Sequence, residues 1–212
     1  MTVGRIICIL IGYAIGLFQT GYIYGKTQHI DIREHGSGNA GTTNTLRTLG
    51  FKAGAITFAG DCGKAILAIF ISWLIFHAQY PEGIKLLGMY AGLGAVLGHN
   101  YPFYMKFKGG KGIACTTGVI FAFHWQMAPL CIGLFIVVVL LTQYVSLGSI
   151  LLVSVFFIEL LLFGQTGHLP VADTYLPEIP ISTPGSDSIF DWYLFSTDLI
   201  SVYPSLSFLY SR

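Results

Sequence analysis

The chain has 212 residues, 54% hydrophobic and only 10% charged, with a formal net charge of +1. A soluble domain carries about a quarter charged residues, and a chain this short and apolar cannot hide its hydrophobic surface in one compact core. Composition therefore excludes an ordinary soluble domain and makes lipid the expected solvent, with membrane lipid as a partner and nucleic acid not one.

Charge distribution says more than net charge. Of eleven Lys and Arg, seven fall in two stretches: Lys26, Arg33, Arg47 and Lys52, then Lys106, Lys108 and Lys111. The next basic residue after Lys111 is Arg212. The four cysteines, Cys8, Cys62, Cys115 and Cys131, lie in or beside apolar segments with no C-x-x-C spacing. They read as small packing residues, with neither disulfide nor metal site expected.

In chain order, residues 6–25 give a first uncharged run long enough to cross a bilayer. Arg5 before it imitates a signal peptide, but no small-residue cleavage site follows, so a retained span is expected. Residues 53–80 give the second span, with Asp61 and Lys64 inside it, and 86–105 the third, with His99 and Asn100 near its end. Residues 112–158 are uncharged throughout. His124, Trp125, Gln126 and Pro129 interrupt this run early, and Gln143, Tyr144 and Gly148 late, which divides it into helices near 113–124, 127–142 and 149–163. The expected fold is an all-α polytopic membrane helix bundle of about six to seven spans with glycine-rich loops. The two basic stretches are separated by two spans and so share a face. Because cytoplasmic loops are enriched in Lys and Arg, that face is cytoplasmic and the N-terminus outside.

The loop 31–47 is dense in Gly, Ser, Thr and Asn. Gly36, Gly38 and Gly41 let backbone N–H groups approach one anion closely. Ser37, Asn39, Thr43 and Asn44 add neutral donors, and Arg47 offers a bidentate fork for phosphate oxygens. The three glycines also satisfy G-x-G-x-x-G, but apolar spans flank them where a dinucleotide fold needs a strand and an amphipathic helix. No Walker A motif is present. A second loop, 98–112, holds His99, Asn100, Lys108, Gly109, Gly110 and Lys111. Lys111 stands between glycines at the start of an apolar run, where a helix N-terminus would share a bound phosphate. Lys106 and Lys108 also suit anchoring to acidic headgroups. His168 and Asp173 form H-x-x-x-x-D, a spacing in which a histidine can act as general base on a hydroxyl, but Pro170 lies inside it and the span count puts it outside the cell.

GSGNAGTTNTLRTLG (36–50), GHNYP (98–102) with FKGGKG (107–112), and YVSLGSI (144–150) together resemble the PlsY-type acyl-phosphate:glycerol-3-phosphate acyltransferases of bacteria. Asp61, Lys64 and the GYIYGK run before the first loop fit as well, so the resemblance covers residues 1–178, the expected catalytic domain. It implies a small polytopic enzyme of the bacterial plasma membrane with about seven helices and a cytoplasmic site. Such an enzyme moves an acyl group from acyl phosphate to glycerol 3-phosphate, giving 1-acyl-glycerol 3-phosphate and phosphate, in phospholipid biosynthesis. An acyl-phosphate-producing enzyme is an expected partner and no cofactor is expected. Acyl phosphate is a mixed anhydride, already activated, so positioning and charge neutralisation suffice without an enzyme nucleophile. Ser37, Arg47 and Lys111 take phosphate-binding and transition-state roles. The loop glycines, Asn39, Thr43, Asn44, His99, Asn100 and Lys108 bind substrate, with Ser146 contributing from the third motif.

Two departures stand out. Gln143 occupies a position where the family usually has a basic residue. The family also normally ends in a last span and a segment close to H-R-x-N-I-x-R-L-x-x-G-x-E, and residues 179–212 contain nothing like it. Asp191 and Asp198 would cost about 2.5–3.5 kcal/mol each at a helix centre, and Pro204 would break a helix. The tail is expected to lack a proper final span, and the chain as written to be inactive or strongly impaired relative to the family. A transporter of phosphate-containing solutes is the alternative from another class; the gathering of polar clusters at one face argues against it. After replacement of the native cysteines, single cysteines at Ser37 and Lys108 are expected to react with an impermeant maleimide only from the cytoplasmic side, and one at Glu82 only from outside. Labelling of Ser37 and Lys108 from opposite faces would overturn the span count.

Overall fold

The computed structural model describes residues 1–165, which contain helices and turns but no strand. The tail at 179–212 and the His168–Asp173 spacing lie outside the described residues. The helices are α1 (Thr2–Gly16), α2 (Thr20–Thr27), α3 (Thr42–Leu49), α4 (Phe51–Phe76), α5 (Ile84–Asn100), α6 (Ile113–Phe123), α7 (Ala128–Thr142) and α8 (Val145–Gln165). The stretches Thr2–Thr27, Phe51–Phe76 and Val145–Leu162 are long and apolar enough to cross a bilayer. Exposed Leu67, Phe70, Trp73 and Leu74 on α4, and Leu140 and Leu141 on α7, turn outward where lipid would meet them.

The all-helical bundle agrees with the sequence, and four boundaries differ from it. The first span breaks at Leu17–Gln19 because Gln19 turns inward: its Nε2 donates to the carbonyls of His99 (2.9 Å) and Gly98 (3.4 Å) at the end of α5. The expected third span stops at Asn100, since Pro102 forces the chain before it out of the helical region. Residues 42–49 form a helix rather than loop. Helix α8 begins four residues before 149, so Ser146 and Gly148 lie in a helix. The reversal there takes only Gln143 and Tyr144. Gln143 adopts a left-handed conformation (φ 61°), and the Tyr144 N–H donates to Thr142 Oγ1 at 3.2 Å.

The core is built from small residues. Between lipid-dissolved helices the hydrophobic effect gives little net drive, so association relies on close backbone approach. Gly12 and Gly16 of α1 face the backbone of Ala91 and Ala95 of α5, and Gly94 and Gly98 face the backbone of α1 in return. A methyl at any of the four would strike main-chain atoms, which cannot rotate away. Ala65 and Ala68 of α4, Ala95 of α5 and Cys115 and Val119 of α6 form the adjoining cluster. Gly118 lets α6 press on the Cys62 carbonyl of α4. A separate plug of Ile32, Ala40 and Met105, with Tyr22 and Leu49 against it, lies beneath the loops that follow α2 and α5.

Replacing Gly98 with Leu is therefore expected to separate α1 from α5, at a cost of about 1–3 kcal/mol or more. Gly63→Ala, where nothing lies within 4 Å of the added methyl, should be neutral. Thermal unfolding in one detergent checks both. Equal midpoints for Gly98→Leu and the parent would show that the contact contributes nothing.

Candidate anion-binding site at the helix N-termini

The first polar loop is held by its own sequence. Asp31 accepts a two-point contact from Arg33, Nε to Oδ1 at 3.0 Å and Nη2 to Oδ2 at 2.8 Å, with Lys26 Nζ 3.3 Å away. The Arg33 guanidinium also lies over the Tyr22 ring. Arg33 and the neighbouring charges hold the Asp31 carboxyl well below the usual carboxylate range. A depressed carboxyl contributes stability that is whole above its unfolded value, about 3.9, and is lost as pH falls through the folded value. This clamp therefore stays intact at neutral pH and through mild acid.

Beyond the clamp, Gly36 (φ 59°) and Gly38 (φ 69°) take left-handed conformations on either side of Ser37. That double reversal displays Ser37, which is exposed. Asn44 holds the turn from below: Nδ2 donates to the carbonyls of Ile32 (2.8 Å) and His35 (3.0 Å), and Oδ1 accepts the Ser37 N–H (2.8 Å). Both ends of the buried Asn44 amide are thus engaged within the loop. Gly41 then opens α3, with Thr43 half-buried in its first turn and Arg47 exposed in its last. Among the described residues no side chain caps this N-terminus, which leaves the N–H groups of its first turn available to an anion.

The second loop folds back on the end of α5. The N–H groups of Gly109 and Gly110 donate to the carbonyls of Asn100 and His99, each at 3.0 Å. Glycine is required at both positions: a Cβ at Gly109 would strike the His99 carbonyl, and one at Gly110 the His99 ring at Nε2. Gly112, left-handed at φ 79°, opens α6, again without a side-chain cap. Lys111 is exposed immediately before it, and Lys108 is exposed one turn earlier in the loop. Asn100 Oδ1 is buried against Gly112 with no hydrogen bond among the described residues.

The two loops meet. Asn39 Nδ2 donates to the Gly109 carbonyl at 3.4 Å, while Asn39 Oδ1 accepts the Gly41 N–H at 2.8 Å. A methyl at Gly41 would sit 3.8 Å from Gly110 Cα and 4.0 Å from the Lys111 nitrogen. The starts of α3 and α6 are therefore neighbours, and the glycines between them leave the approach open. Ser146 is exposed in the first turn of α8, next to Gly148, which packs on Phe135 and Val139 of α7.

Beneath this lies a buried polar cluster that the sequence shows only as two charges inside an apolar span. Lys64 Nζ reaches the Phe18 carbonyl (2.6 Å), Asp61 Oδ1 (2.9 Å) and His99 Nδ1 (2.7 Å), and Thr20 Oγ1 donates to Asp61 Oδ1 (3.1 Å). Asp61, His99 and Cys115 offer ligand atoms within 4.8 Å of one another, the spacing of a metal site. The Lys64 ammonium already lies against two of these atoms and takes the place a cation would fill. The spacing of Asp61 and Lys64, i and i+3 on one helix face, was the available signal; their meeting with His99 and the Phe18 carbonyl depends on the break in the first span.

Asn44→Ala is expected to release the Ser37 turn, because it strands two carbonyls and one N–H at about 1–3 kcal/mol for each group left unsatisfied. Asn44→Asp keeps the acceptor for Ser37 but loses both donations, and should fail as well. Hydrogen exchange at the Ser37 amide is the readout; unchanged protection in Asn44→Ala would show that the amide does not hold the turn.

The family profile described as "Glycerol-3-phosphate acyltransferase" matches residues 6–182. A glycerol-3-phosphate acyltransferase of Clostridioides difficile is 45% identical over 148 residues, which is 68% of this chain and 71% of the relative. One of Bacillus velezensis is 40% identical over 169 residues, 79% of this chain and 83% of the relative. Among solved structures, the crystal structure of PlsY, an integral membrane glycerol 3-phosphate acyltransferase in its glycerol 3-phosphate form, superposes with a TM-score of 0.68 at 28% identity. It covers 96% of this chain and 92% of its own. The lysophosphatidic acid form of PlsY gives 0.65 at 27% identity. With helix-start glycine loops, a membrane bundle and a match running through nearly the whole described chain, this protein belongs to the integral membrane glycerol-3-phosphate acyltransferase family.

Proposed function

We propose that this protein transfers an acyl group from acyl phosphate to glycerol 3-phosphate, yielding 1-acyl-glycerol 3-phosphate and inorganic phosphate. The observation that carries the reading is the juxtaposition of two uncapped, glycine-opened helix starts, at Gly41 and Gly112, tied together by the Asn39–Gly109 contact. Each substrate carries a phosphate, and each helix start is an anion receptor.

The chemistry is direct. The acceptor hydroxyl oxygen bonds to the acyl carbon, the bond from that carbon to the phosphate oxygen breaks, and the hydroxyl proton passes to a phosphate oxygen of the substrates. What the protein supplies is alignment of two anions that repel one another and donors for the charge that gathers on the leaving phosphate. Ser37 at the loop tip, Arg47 and Lys111 are the groups for this; Gly36, Gly38, Gly41, Thr43, Lys108, Gly109 and Gly110 shape and line the phosphate positions. Asn44 acts through the loop it holds. Ser146 and Asn100 complete the substrate contacts, with Asn100 Oδ1 offering a buried acceptor for a substrate hydroxyl. The site faces the cytoplasm, with the N-terminus outside.

A competent family form of this chain, purified in lipid and given acyl phosphate and glycerol 3-phosphate, is expected to release phosphate without added divalent metal. Loss of activity with a chelator, restored by one specific metal, would sink the metal-free mechanism. Arg47→Ala and Lys111→Ala should each lower kcat/KM by roughly ten- to hundredfold or more, the worth of a charge-assisted phosphate contact. Lys106→Ala, whose expected partner is lipid, should change little. Equal small effects at all three would show that the loops only anchor the protein. A chimera carrying a family-type segment from Ile179 onward is expected to exceed the parent in activity; equal rates would show that the tail is dispensable.

A further inference from the structure

The hydrogen bonds of Lys64 constrain a group it does not resemble. An ammonium has three N–H donors and no acceptor. Here the three donors meet three acceptors: the Phe18 carbonyl at 2.6 Å, Asp61 Oδ1 at 2.9 Å and His99 Nδ1 at 2.7 Å. His99 Nδ1 must therefore present a lone pair. The alternative, a protonated Nδ1 donating to Asp61, fails on distance, because Nδ1 lies 3.6 Å from Oδ1. The proton of a neutral ring then sits on Nε2. That nitrogen makes no hydrogen bond among the described residues, and it faces Gly110, whose missing side chain is what leaves room for it. The backbone of His99 is held at the same place: its carbonyl accepts from Gln19 Nε2 at 2.9 Å and from the Gly110 N–H at 3.0 Å.

We infer that Lys64, seated on Asp61, is a positioning residue: it fixes His99 as the Nε2–H tautomer and so presents a neutral hydrogen-bond donor at the Gly109–Gly110–Lys111 turn of the phosphate site. The inference rests on the reading of that turn as a substrate-phosphate site. The groups facing the ring are Asp61, Lys64 and Cys115. Lys64 occupies the cation position among them, so the ring serves as a donor to substrate rather than as a metal ligand. A neutral donor suits this place. It contributes a hydrogen bond to an anion without a second buried charge beside the ammonium, and the tautomer is set before substrate arrives.

The test uses the full chain in lipid nanodiscs with 15N-labelled histidine, the His99 resonances being those lost in His99→Gln. The expected wild-type spectrum at neutral pH shows Nδ1 unprotonated and Nε2 protonated, with the Nε2 signal moving when glycerol 3-phosphate is added. A protonated Nδ1 would overturn the tautomer lock, and an Nε2 signal indifferent to glycerol 3-phosphate would overturn the donor role. The double variant Asp61→Asn/Lys64→Met removes both charges at near-constant volume, so neither is stranded. It should let Nδ1 gain a proton and should raise the glycerol 3-phosphate KM by about tenfold, one lost hydrogen bond, with a smaller change in kcat. An unchanged KM there would refute positioning. His99→Gln, whose amide N–H₂ reaches the Nε2 position, should bind glycerol 3-phosphate more tightly than His99→Asn, whose amide reaches only Nδ1; the reverse order would mean that the ring serves Lys64 alone. The tautomer and binding signals are read without turnover, so a protein that binds but does not transfer acyl groups would separate failure of the proposed reaction from failure of this inference.

Discussion

A lysine ammonium buried among apolar helices sets the terms for the rest of this structure. Its side chain is 4% exposed, and that of its partner Asp61 is 1% exposed. Removing one member of such a pair strands the other, at about 3–5 kcal/mol, and the ammonium needs an acceptor for each of its three N–H donors. Asp61 alone supplies one acceptor. The second is a main-chain carbonyl at Phe18, and a carbonyl within an unbroken helix would be committed to its own N–H partner four residues on. The break at Leu17–Gln19 frees it. The third is His99, at the very end of α5. One buried charge thus ties together a helix break, a helix end and the middle of α4, and it does so directly below the glycine turn at 109–110.

Close approach is the second constraint, and it follows from the solvent. With lipid outside, large apolar side chains gain little by turning inward, and the described structure turns many of them outward on α4, α7 and α8. What remains for the interior is contact between backbones, which is why the α1–α5 seam is lined by Gly12, Gly16, Gly94 and Gly98. The same seam positions the site. Gly98 lets the last turn of α5 lie against α1, and from there Gln19 can reach the carbonyls of Gly98 and His99 that the helix leaves unsatisfied. Packing deep in the bundle and loop geometry at its face are therefore one problem.

Much of this was legible in the sequence, and the limits have physical causes. Apolar run length and the basic loops revealed a helical membrane protein, and the polar interruptions placed α6 and α7 within about a residue of their observed ends. Glycine density marked the two loops that meet through Asn39 and Gly109. What linear patterning missed were positions where a side chain satisfies a distant backbone group. Gln19 reads as a tolerated polar residue in an apolar run, yet it ends one helix and caps another. Asn44 reads as a donor for substrate, yet its amide is committed to Ile32, His35 and Ser37. The sequence points to a later start for α8 because Gln143 and Tyr144 look like the beginning of a loop, whereas a left-handed Gln143 and the Tyr144–Thr142 contact complete the reversal within those two residues.

The division of labour in the site follows from these commitments. Arg33 and Lys26, the first basic residues of the loop, are taken up by Asp31. Asn44 is taken up by the turn, Lys64 by Asp61, Phe18 and His99. Arg47, Lys108 and Lys111 are exposed and make no ion pair among the described residues. The charges that build the loops and the charges left for a ligand are thus different sets. For two phosphate-bearing molecules that partition matters, because a cation already neutralised by a carboxylate offers an incoming anion little. The helix starts at Gly41 and Gly112 add fixed partial positive charge that a carboxylate would neutralise by capping them, and among the described residues no side chain does. Their dipoles are fixed by the fold, so a dianion placed there would meet them without reorganisation of the chain. The glycines that open those helices keep the caps absent, which is the physical reason the site's most characteristic residues are the ones without side chains.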